Sequence, residues 1–384
     1  MTDGHADHPA ADVLIVDDTP HNLRLLSQML AEHGYKVRAV TSGARALAAA
    51  RAAVPDLILL DIRMPELDGI QVCQQLKADR RTRDVPVLFI SALDQIRDKV
   101  RAFGAGGVDY ITKPFQLEEV LARVGTHLAL RESQQRLRDA NARFERELAL
   151  AGKIQAGILP RLYPAVEGWQ FSAALQPARE TSGDFYDMGV LPDGSVWLLI
   201  ADVTDKGAGA ALYMALCCAL IRTCVALHPA EPQRVMEAVN QRLRQDIECE
   251  EFVTAVYGVL DPGTGAWQYC NAGHNPPYLV QSAGAVQVLS RTGMPLGIAA
   301  DATWERGMVH VEPGGVLTLY TDGVIEAQDD WGAFFGLERL LECLQRPGRC
   351  SAHDTSELIL TKVREFVGSA RQSDDMALVV VARD

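Results

Sequence analysis

The sequence predicts an α/β doubly wound domain at the N-terminus, a helical connector, and an α+β domain at the C-terminus. The chain has 384 residues, of which 48% are hydrophobic and 23% are charged, so it can form two or three globular domains and is not a disordered chain. Short apolar runs alternate with amphipathic stretches up to about residue 130. Beyond residue 160, short β-type runs are separated by turns.

The N-terminal part has the rhythm of a parallel sheet with crossover helices. The runs VLIVDD, VRAV, LILLD, VPVLFISA and DYITKP alternate with helix-like stretches such as LRLLSQMLAEHGY and ARALAAARA. In open sheets of this kind, functional residues gather beyond the carboxyl ends of the strands. We therefore expect five polar residues to converge on one edge: Asp17, Asp18, Asp61, Ser91 and Lys113.

These residue types suit an aspartate that accepts a phosphoryl group. Its charge and the donor's charge must be offset by a divalent cation and a fixed positive side chain. Asp18 and Asp61, with a main-chain carbonyl near Arg63, offer the oxygen ligands that Mg²⁺ prefers, and Lys113 would pair with the acyl phosphate. The Lys113–Pro114 bond is predicted to be cis, which would aim the lysine.

The motifs VLIVDD, LILLDIRMPELDG, FISA and DYITKPF resemble the response-regulator receiver domain over residues 12–130. The resemblance implies a flavodoxin-like fold and a histidine kinase as partner. Taken singly, the first aspartate could be a helix cap, the serine a loop residue and the tyrosine an edge-strand aromatic. The roles that the resemblance implies are Asp61 as phosphoacceptor, Asp17 and Asp18 as the acidic Mg²⁺ pocket, Ser91 as the hydroxyl that follows the phosphoryl group, Lys113 as its cationic partner, and Tyr110 as the aromatic switch.

A coiled-coil linker is predicted over residues 131–158. Apolar or small residues recur every seven positions amid charges of both signs, which favours a homodimer through this helix. Companion positions are mostly polar, so a solvated monomeric helix stays open as the alternative. The apolar seam is Leu130, Leu137, Phe144, Ala151 and Ile158, and the companion seam is Gln134, Asn141, Leu148 and Gln155.

Residues 159–384 are predicted to form one α+β domain with mostly antiparallel strands. The strand-like runs include VWLLIADV, FVTAVYGVLD, WQYCNAG, YLV, VLTLYTDG and MALVVVA, and helices are expected over 210–227, 232–248, 336–345 and 356–367. Asp184, Asp202, Asp322 and the pair Asp374–Asp375 follow strands or adjoin glycines. Grouped carboxylates repel one another, and two divalent ions about 3.5 to 4 Å apart would relieve this and activate a bridging water.

Several motifs resemble the SpoIIE-like branch of the metal-dependent (2C-type) protein serine/threonine phosphatases, over residues 148–382. They are LALAGKIQAGILP, PARETSGDFYD, LLIADVTDKGAGAALYMAL, CNAGHNPP, MPLGI, LYTDGVIEA and SDDMALVVV. The resemblance implies a β-sandwich flanked by helices, and a phosphoserine on an anti-sigma-factor antagonist as substrate. It implies a dinuclear Mn²⁺ or Mg²⁺ centre held by Asp184, Asp202, Asp322, Asp374 and the carbonyl of Val203, with Asp375 outside the ligand shell or exchanged with Asp374.

The chain departs from the family pattern at two points. Ser182 stands where a second glycine is usual, and Asp205, in TDKG, stands where the family has glycine in SGKG. Two further side chains have both a functional and a structural interpretation. Arg179 could bind the substrate phosphate or be a surface arginine. His274 could be a general acid or a packed turn residue.

Cys343 and Arg349 match the Cys-x5-Arg spacing of thiol-based phosphatases. That phosphate loop follows a strand, whereas Cys343 ends a helix-like segment, so we reject this mechanism. Eight cysteines at irregular spacings, with no CxxC pair, indicate reduced thiols.

Charge and hydropathy favour a cytoplasmic protein that binds neither nucleic acid nor membranes. The net charge is −13, and residues 159–384 carry 16 basic and 29 acidic side chains. The longest apolar run without a charge, between Lys206 and Arg222, is too short for a membrane helix, and the N-terminus does not resemble a secretory signal.

The sequence thus predicts a response regulator in which Asp61 controls a metal-dependent phosphatase. The alternative is a non-catalytic adaptor that binds a sigma factor or another partner under receiver control. The presence of all four aspartates argues against the adaptor.

Overall fold

The computed structural model describes residues 11–92, 96–246, 251–345 and 351–384. The chain forms two compact units, which divide between Ala142 and Arg143. One long helix, α5 (Leu117–Ile158), contributes residues to both units. Cys249 and Cys350, two of the eight cysteines predicted to be reduced thiols, lie outside the described residues.

The N-terminal unit is a five-stranded parallel sheet with helices between successive strands. Its elements are β1 (Asp12–Val16), α1 (Pro20–Ala31), β2 (Lys36–Val40), α2 (Gly43–Ala52), β3 (Leu57–Asp61), α3 (Gly69–Ala78), β4 (Val87–Ala92), α4 (Ile96–Gly104), β5 (Asp109–Lys113) and the first part of α5. The strand order is β2-β1-β3-β4-β5, and every pairing is parallel. This confirms the predicted doubly wound α/β fold.

The central strands are apolar along their whole length because helices cover both faces of the sheet. All five residues of β3 are buried. Its Ile58 and Leu60 belong to one apolar core, and its Leu57 and Leu59 belong to the core on the other face. Register is therefore fixed by burial on both sides, and the polar residues that follow these strands come to one edge of the sheet.

Helix α5 has a different environment along its length. The side chains of Leu130, Leu137 and Phe144 are 51%, 63% and 63% exposed, as expected for a seam without a partner helix. Ile158, the last seam position, instead packs against the core of the C-terminal unit, and Gln155 of the companion seam is buried there. The apolar seam is consequently open to a partner helix only in its first part, from Leu130 to Phe144.

The C-terminal unit contains two five-stranded antiparallel sheets. The first has the order β13-β10-β9-β8-β7 and the second β12-β11-β14-β15-β6. Residues of both sheets, among them Leu198, Trp267, Leu319 and Val379, form one shared core, so the sheets pack face to face as a β-sandwich. The strands are β6 (Trp169–Gln176), β7 (Phe185–Val190), β8 (Val196–Val203), β9 (Val253–Leu260), β10 (Ala266–Ala272), β11 (Tyr278–Val280), β12 (Val286–Val288), β13 (Gly307–His310), β14 (Val316–Tyr320) and β15 (Met376–Arg383).

Helices cover both outer faces of this sandwich, as predicted. Helices α6 (Ala208–Leu227) and α7 (Pro232–Asp246) pack on the first sheet, whereas α8 (Asp322–Ile325), α9 (Gly336–Leu344) and α10 (Ala352–Val367) pack on the second. Helix α10 begins four residues before the predicted start because the Ser351 side chain caps it, accepting a hydrogen bond from the Asp354 N–H.

Helix α6 is longer than the charge-free run considered in the sequence. It has 20 residues and is long and apolar enough to cross a membrane by length and composition, but half of its apolar window is buried within the protein. Its buried side chains belong to the core against the first sheet. Arg222, inside the helix, pairs with the buried Asp187 of β7 at 2.6 Å and donates to the carbonyl of Ile158 at 2.7 Å. These contacts fit a core helix of this unit.

The substitution Arg222→Leu is expected to lower the free energy of unfolding of the C-terminal unit by about 2 kcal/mol, since it leaves the buried carboxylate of Asp187 unpaired. Tryptophan fluorescence during urea unfolding reports on this unit alone, because all five tryptophans lie beyond residue 168. The matched control is Arg234→Leu, which removes an exposed pair with Glu231 and should cost less than about 0.5 kcal/mol. Equal effects of the two substitutions would contradict the prediction.

Candidate functional site

The carboxyl ends of β1 and β3 bring three aspartates together. Oxygen atoms of Asp17, Asp18 and Asp61 lie within 4.8 Å of one another, and this is the one such acidic group among the described residues. Asp17 and Asp61 are buried, whereas Asp18 is exposed. Three converging carboxylates, one of them open to solvent, fit a divalent cation with oxygen ligands and waters. The predicted residues therefore meet as expected, and they could hold Mg²⁺.

Lys113 reaches this group from the end of β5. Its Nζ lies 2.7 Å from Oδ2 of Asp61 and 3.0 Å from Oδ2 of Asp17. Burial raises the pKa of Asp61, and the hydrogen bond from Lys113 opposes this rise. Burial also tends to lower the pKa of Lys113, but its hydrogen bonds to Asp61 and Asp17 raise it overall. The Lys113–Pro114 bond is cis, which confirms the prediction.

Ser91 and Tyr110 lie on the neighbouring strands β4 and β5. The Ser91 hydroxyl is buried and has no hydrogen-bond partner within the described part of the chain. The ring of Tyr110 is half-buried and meets Phe103 edge to face at 6.3 Å. The guanidinium of Arg123 lies 5.5 Å from the centre of the Tyr110 ring.

Sequence reasoning missed Asn22, on the first turn and a half of α1. Its side-chain amide donates to both oxygens of Asp17, at 3.1 and 2.9 Å. The N–H of Thr19 donates to the same carboxylate at 2.8 Å. Asn22 follows the aspartate by five residues, and only the turn into α1 brings it back, so no local motif in the sequence signalled this contact.

The second predicted group lies at strand ends of both sheets of the C-terminal unit. Asp184 directly precedes β7 and Asp202 lies near the end of β8, in the first sheet. Asp322 begins α8 after β14, and Asp374 lies two residues before β15, in the second sheet. Asp184 is buried and the other three are half-buried. The four aspartates thus meet where the two sheets of the sandwich end.

Burial and one another's negative charges raise the pKa values of three of these carboxylates. The pKa of Asp184 lies well above its usual range because the group is buried and faces Asp202. Burial and the charge of Asp322 raise the pKa of Asp202 to about 7. Burial and the charge of Asp374 raise that of Asp322. One oxygen of Asp184 is buried without a hydrogen-bond partner among the described residues.

This donor set fits cations because positive charge would relieve both the repulsion and the unpartnered oxygen. The C-terminal group is more open than the N-terminal one, since no three of its oxygens meet the 4.8 Å limit that Asp17, Asp18 and Asp61 satisfy. A centre with two ions about 3.5 to 4 Å apart distributes its ligands over such a wider space.

The structure distinguishes Asp374 from Asp375. One oxygen of Asp375 accepts from the N–H of Ala178 at 2.7 Å and the other from the N–H of Gly183 at 2.8 Å. Asp375 thereby fixes the loop that leads to Asp184. The carboxylate of Asp374 instead lies 2.9 Å from Nζ of Lys206, a residue that sequence reasoning did not single out. Asp374 is consequently the better candidate for a metal ligand.

The loop after β8 explains one departure from the family pattern. Asp205 has a φ of 76°, in the left-handed region that glycine adopts without strain. Its carboxylate accepts from the N–H of Lys206 at 2.8 Å, the kind of local bond that lets aspartate tolerate this conformation. The carbonyl of Val203 faces Gly183, where an added Cβ would lie 3.0 Å from the oxygen. The chain therefore passes close to this predicted ligand.

Arg179 and His274 differ in their surroundings. Arg179 is exposed and has no ion pair among the described residues. His274 is buried, with Nδ1 2.7 Å from Oγ1 of Thr254 and Nε2 3.2 Å from the carbonyl of Tyr320. Burial lowers the pKa of His274 to about 4. Both ring nitrogens are engaged, so the structural interpretation of His274 replaces the general-acid one.

Gln155 links α5 to the loop before Asp184. Its Nε2 donates to the carbonyl of Ser182 at 2.5 Å, and the N–H of Ser182 donates to its Oε1 at 2.9 Å. One turn earlier, a Cβ at Gly152 would overlap the carbonyl oxygen of Glu180, so only glycine permits this approach. The seven-residue spacing places Gln155 in the weak companion seam of the predicted coiled coil. It is instead the buried contact between the helix and the loop.

Cys343 does not form a thiol-phosphatase loop. It is buried near the end of α9, and no strand precedes it. Arg349, the other half of the motif, lies outside the described residues. The described cysteines are all buried free thiols, consistent with core packing: Cys73, Cys217, Cys218, Cys224, Cys270 and Cys343.

Family models match both units of the chain. The model described as Stage II sporulation protein E (SpoIIE) matches residues 192–384, which is half of the chain. The chain belongs to the SpoIIE family. The response regulator receiver domain model matches residues 13–125, so the N-terminal unit of this SpoIIE-family protein is a receiver domain. The SpoIIE match begins after Asp184, and it contains Asp202, Asp322 and Asp374.

Individual relatives of this SpoIIE-family chain support the same architecture. Protein IcfG of Synechocystis sp. is 29% identical over 78% of this chain and 51% of its own length. Phosphoserine phosphatase RsbU of Bacillus subtilis is 28% identical over 68% of this chain and 76% of its own length. The chain spans about half the length of IcfG and less of the next curated relatives.

Solved structures confirm the fold of the SpoIIE-type domain. The SiaA-PP2C domain of Pseudomonas aeruginosa superposes with a TM-score of 0.58, over 64% of this chain and 99% of that one, at 22% identity. The C-terminal unit therefore has the fold of a PP2C phosphatase domain.

Without added metal, the C-terminal unit is expected to lose stability as the pH rises from 4 to 8. The folded protein holds the Asp202 proton up to a pKa of about 7, whereas the unfolded chain releases it near 3.8, so the stabilisation is complete below pH 4 and disappears through pH 7. The maximum loss for this group is about 4 kcal/mol. The measurement is urea unfolding in EDTA, followed by tryptophan fluorescence.

The substitution Asp202→Asn should flatten this pH dependence and stabilise the metal-free protein at pH 8. Asp301→Asn, at an exposed position, is the matched control and should leave the slope unchanged. A stability that is equal at pH 4 and pH 8 in the unsubstituted protein would contradict the electrostatic analysis.

Proposed function

We propose that the chain is a response regulator whose SpoIIE-type domain is a metal-dependent protein serine/threonine phosphatase controlled by phosphorylation of Asp61. The observation that carries the proposal is the group of buried and half-buried, mutually repelling carboxylates at the ends of both sheets. Asp184, Asp202 and Asp322 all have raised pKa values for this reason. Such a group is costly for the fold unless cations bind it, and it has the residue types that phosphoryl chemistry requires.

In this proposal, Asp184, Asp202, Asp322, Asp374 and the carbonyl of Val203 hold two Mn²⁺ or Mg²⁺ ions. When bound, the ions supply an activated water and neutralise the substrate phosphate. The chain's own residues do the positioning. Asp375 holds the loop before Asp184 by two backbone hydrogen bonds. Arg179, exposed on the same loop, would bind the phosphate oxygens.

Control would begin at the receiver domain. A histidine kinase would load Asp61, with Mg²⁺ held by Asp17, Asp18 and Asp61 and with Lys113 facing the new phosphate. The buried hydroxyl of Ser91, which has no partner among the described residues, would turn to the phosphoryl group, and Tyr110 would respond on the adjacent strand.

Helix α5 would carry this change to the phosphatase domain. Leu137 and Phe144 of the predicted linker, residues 131–158, and Leu130 directly before it are exposed to solvent, and a second copy of the chain would cover this seam. At its other end the helix holds the loop before Asp184 through Gln155. A dimer that alters the helix would thereby move a candidate metal ligand.

The proposed substrate is a phosphoserine on a partner protein. RsbU, a relative over 68% of this chain, is named as a phosphoserine phosphatase. By family analogy the partner would be an anti-sigma-factor antagonist. The net charge of −13 opposes a nucleic-acid partner, and we propose a cytoplasmic location with domains at 12–130 and 159–384.

Hydrolysis of p-nitrophenyl phosphate by the full chain should require Mn²⁺ or Mg²⁺. We expect Asp202→Asn to lower the metal-dependent rate at least about 100-fold, because it removes a carboxylate from the centre of the group. The matched control, Asp301→Asn, should retain the full rate. The assay is release of p-nitrophenol with and without EDTA.

Absence of metal-dependent hydrolysis in the unsubstituted chain would favour the second candidate function, a non-catalytic adaptor. A domain that keeps these carboxylates but does not hydrolyse a phosphate ester would still bind a phosphoprotein. Retained partner binding by Asp202→Asn would then distinguish the adaptor from an enzyme.

Beryllofluoride with Mg²⁺, which mimics the phosphoryl group on Asp61, should change the rate of the full chain by about fivefold or more, as allosteric coupling typically does. Asp61→Asn should abolish the response while keeping the basal rate. Gln155→Leu should also abolish it, since the contact with Ser182 is lost. Light scattering on the same samples measures the dimer. An unchanged rate and an unchanged mass would refute receiver control through α5.

A further inference from the structure

A cavity of about 340 Å³ adjoins the C-terminal carboxylate group, and neither the fold nor the proposed chemistry uses it. It lies on the second sheet's side of the domain, among residues of β6, β15, α10 and the segment after α8. Its apolar lining residues are Ala327, Val363, Val367, Ala370 and Met376. Three lining residues carry side-chain amides: Gln176, Gln328 and Gln372.

Two lining residues are direct chain neighbours of candidate metal ligands. Gly323 follows Asp322, and Ser373 precedes Asp374. A hydrogen-bond bridge fixes this junction. The side chain of Gln372 donates to the carbonyl of Asp374 at 2.7 Å and to the carbonyl of Gln176 at 2.8 Å. The wall of the cavity thus includes residues joined directly to two of the carboxylates, and Gln372 holds one of these junctions in place.

The interior of the cavity is apolar, and a hydrogen bond links the two segments at its rim. Val363 and Met376 are buried core residues, and Ala327 is buried between them and the loop after α8. Across the rim, the hydroxyl of Ser369 donates to the carboxylate of Asp330 at 2.8 Å, which ties the end of α10 to that loop. The opening therefore has walls from two segments that hydrogen bonds hold in place.

Arg364 is the charged side chain among the described lining residues. It is exposed, and it has no ion-pair partner within the described ranges. Apart from it, the lining offers amides, a hydroxyl and apolar atoms. A free charged metabolite would therefore find one cation and a mainly apolar surface, whereas a polypeptide brings apolar side chains and backbone groups that suit amides.

We propose that this cavity binds an apolar side chain next to the phosphoserine of the protein substrate. The inference rests on the proposed phosphatase function. Gly323 and Ser373 line the cavity and directly adjoin Asp322 and Asp374, so a residue flanking a phosphoserine at these carboxylates would lie within reach of the cavity. A volume near the lower end of the usual range for binding pockets suits one or two side chains. The cavity thus supplies a specificity site that the metal centre alone would lack.

The test uses the full chain with Mn²⁺ and a set of phosphoserine peptides in which each residue flanking the phosphoserine is Leu, Ala, Asp or Lys in turn. The rate constant kcat/KM of each peptide is divided by that for p-nitrophenyl phosphate. We expect Leu at one flanking position to exceed Asp and Lys by about tenfold or more, as a side chain in a hydrophobic pocket does.

Ala370→Phe, which fills the cavity at its half-buried rim, should remove that preference through a higher KM for the Leu peptide. Ala283→Phe, at the exposed turn between β11 and β12, is the matched control and should keep the preference.

The outcomes separate the inference from the proposed function. Hydrolysis of p-nitrophenyl phosphate with equal rates for all peptides overturns the inference and leaves the phosphatase proposal standing. A Leu preference that survives in Ala370→Phe places the side chain elsewhere and also overturns it. Lack of any metal-dependent hydrolysis overturns both proposals together.

Discussion

Repulsion among carboxylates gathered at strand ends is the constraint on which both units of the chain depend. In the receiver domain a fixed positive charge offsets this repulsion, because Lys113 contacts both Asp61 and Asp17. In the SpoIIE-type domain the nearest lysine, Lys206, pairs with Asp374 at the edge of the group. The buried Asp184 and the half-buried Asp202 keep raised pKa values. The repulsion among the carboxylates is therefore offset less by protein side chains in the second group than in the first.

The scaffold holds these charges in place by backbone hydrogen bonds and close packing. Asp375 binds two backbone amides of the loop before Asp184, and Gln155 binds the same loop from α5. Gly323 packs so closely on the carbonyl of Asp375 that a Cβ would overlap it. The position of the loop before Asp184 is therefore set jointly by α5 and by Asp375.

The sequence predicted the fold class and the aspartates well, because strand periodicity and short motifs carry that information locally. It did not predict Lys206 or Gln155, whose partners lie far along the chain, or Asn22, which only the turn into α1 brings back to Asp17. Their roles depend on tertiary geometry and have no period or spacing. For the same reason the predicted heptad seam includes Ile158, because spacing alone could not show that this residue packs in a domain core. The ligand assignments and the linker dimer stay predictions.

Two regions of helix α5, which share one continuous backbone, have different packing requirements. Around Leu137 it has an exposed apolar seam with a seven-residue period, which gains stability only when another helix covers it. Around Gln155 and Gly152 it has a buried, close-packed face whose position is set by the loop before Asp184. A seven-residue seam drifts by about 20° per heptad on a straight helix, so pairing at the first region imposes supercoiling and constrains the twist of the second. In the proposed function, a helix that supercoils only when paired would present Gln155 to Ser182 at a different angle in the dimer, and this change of angle would be the physical link between dimerisation and the carboxylate group.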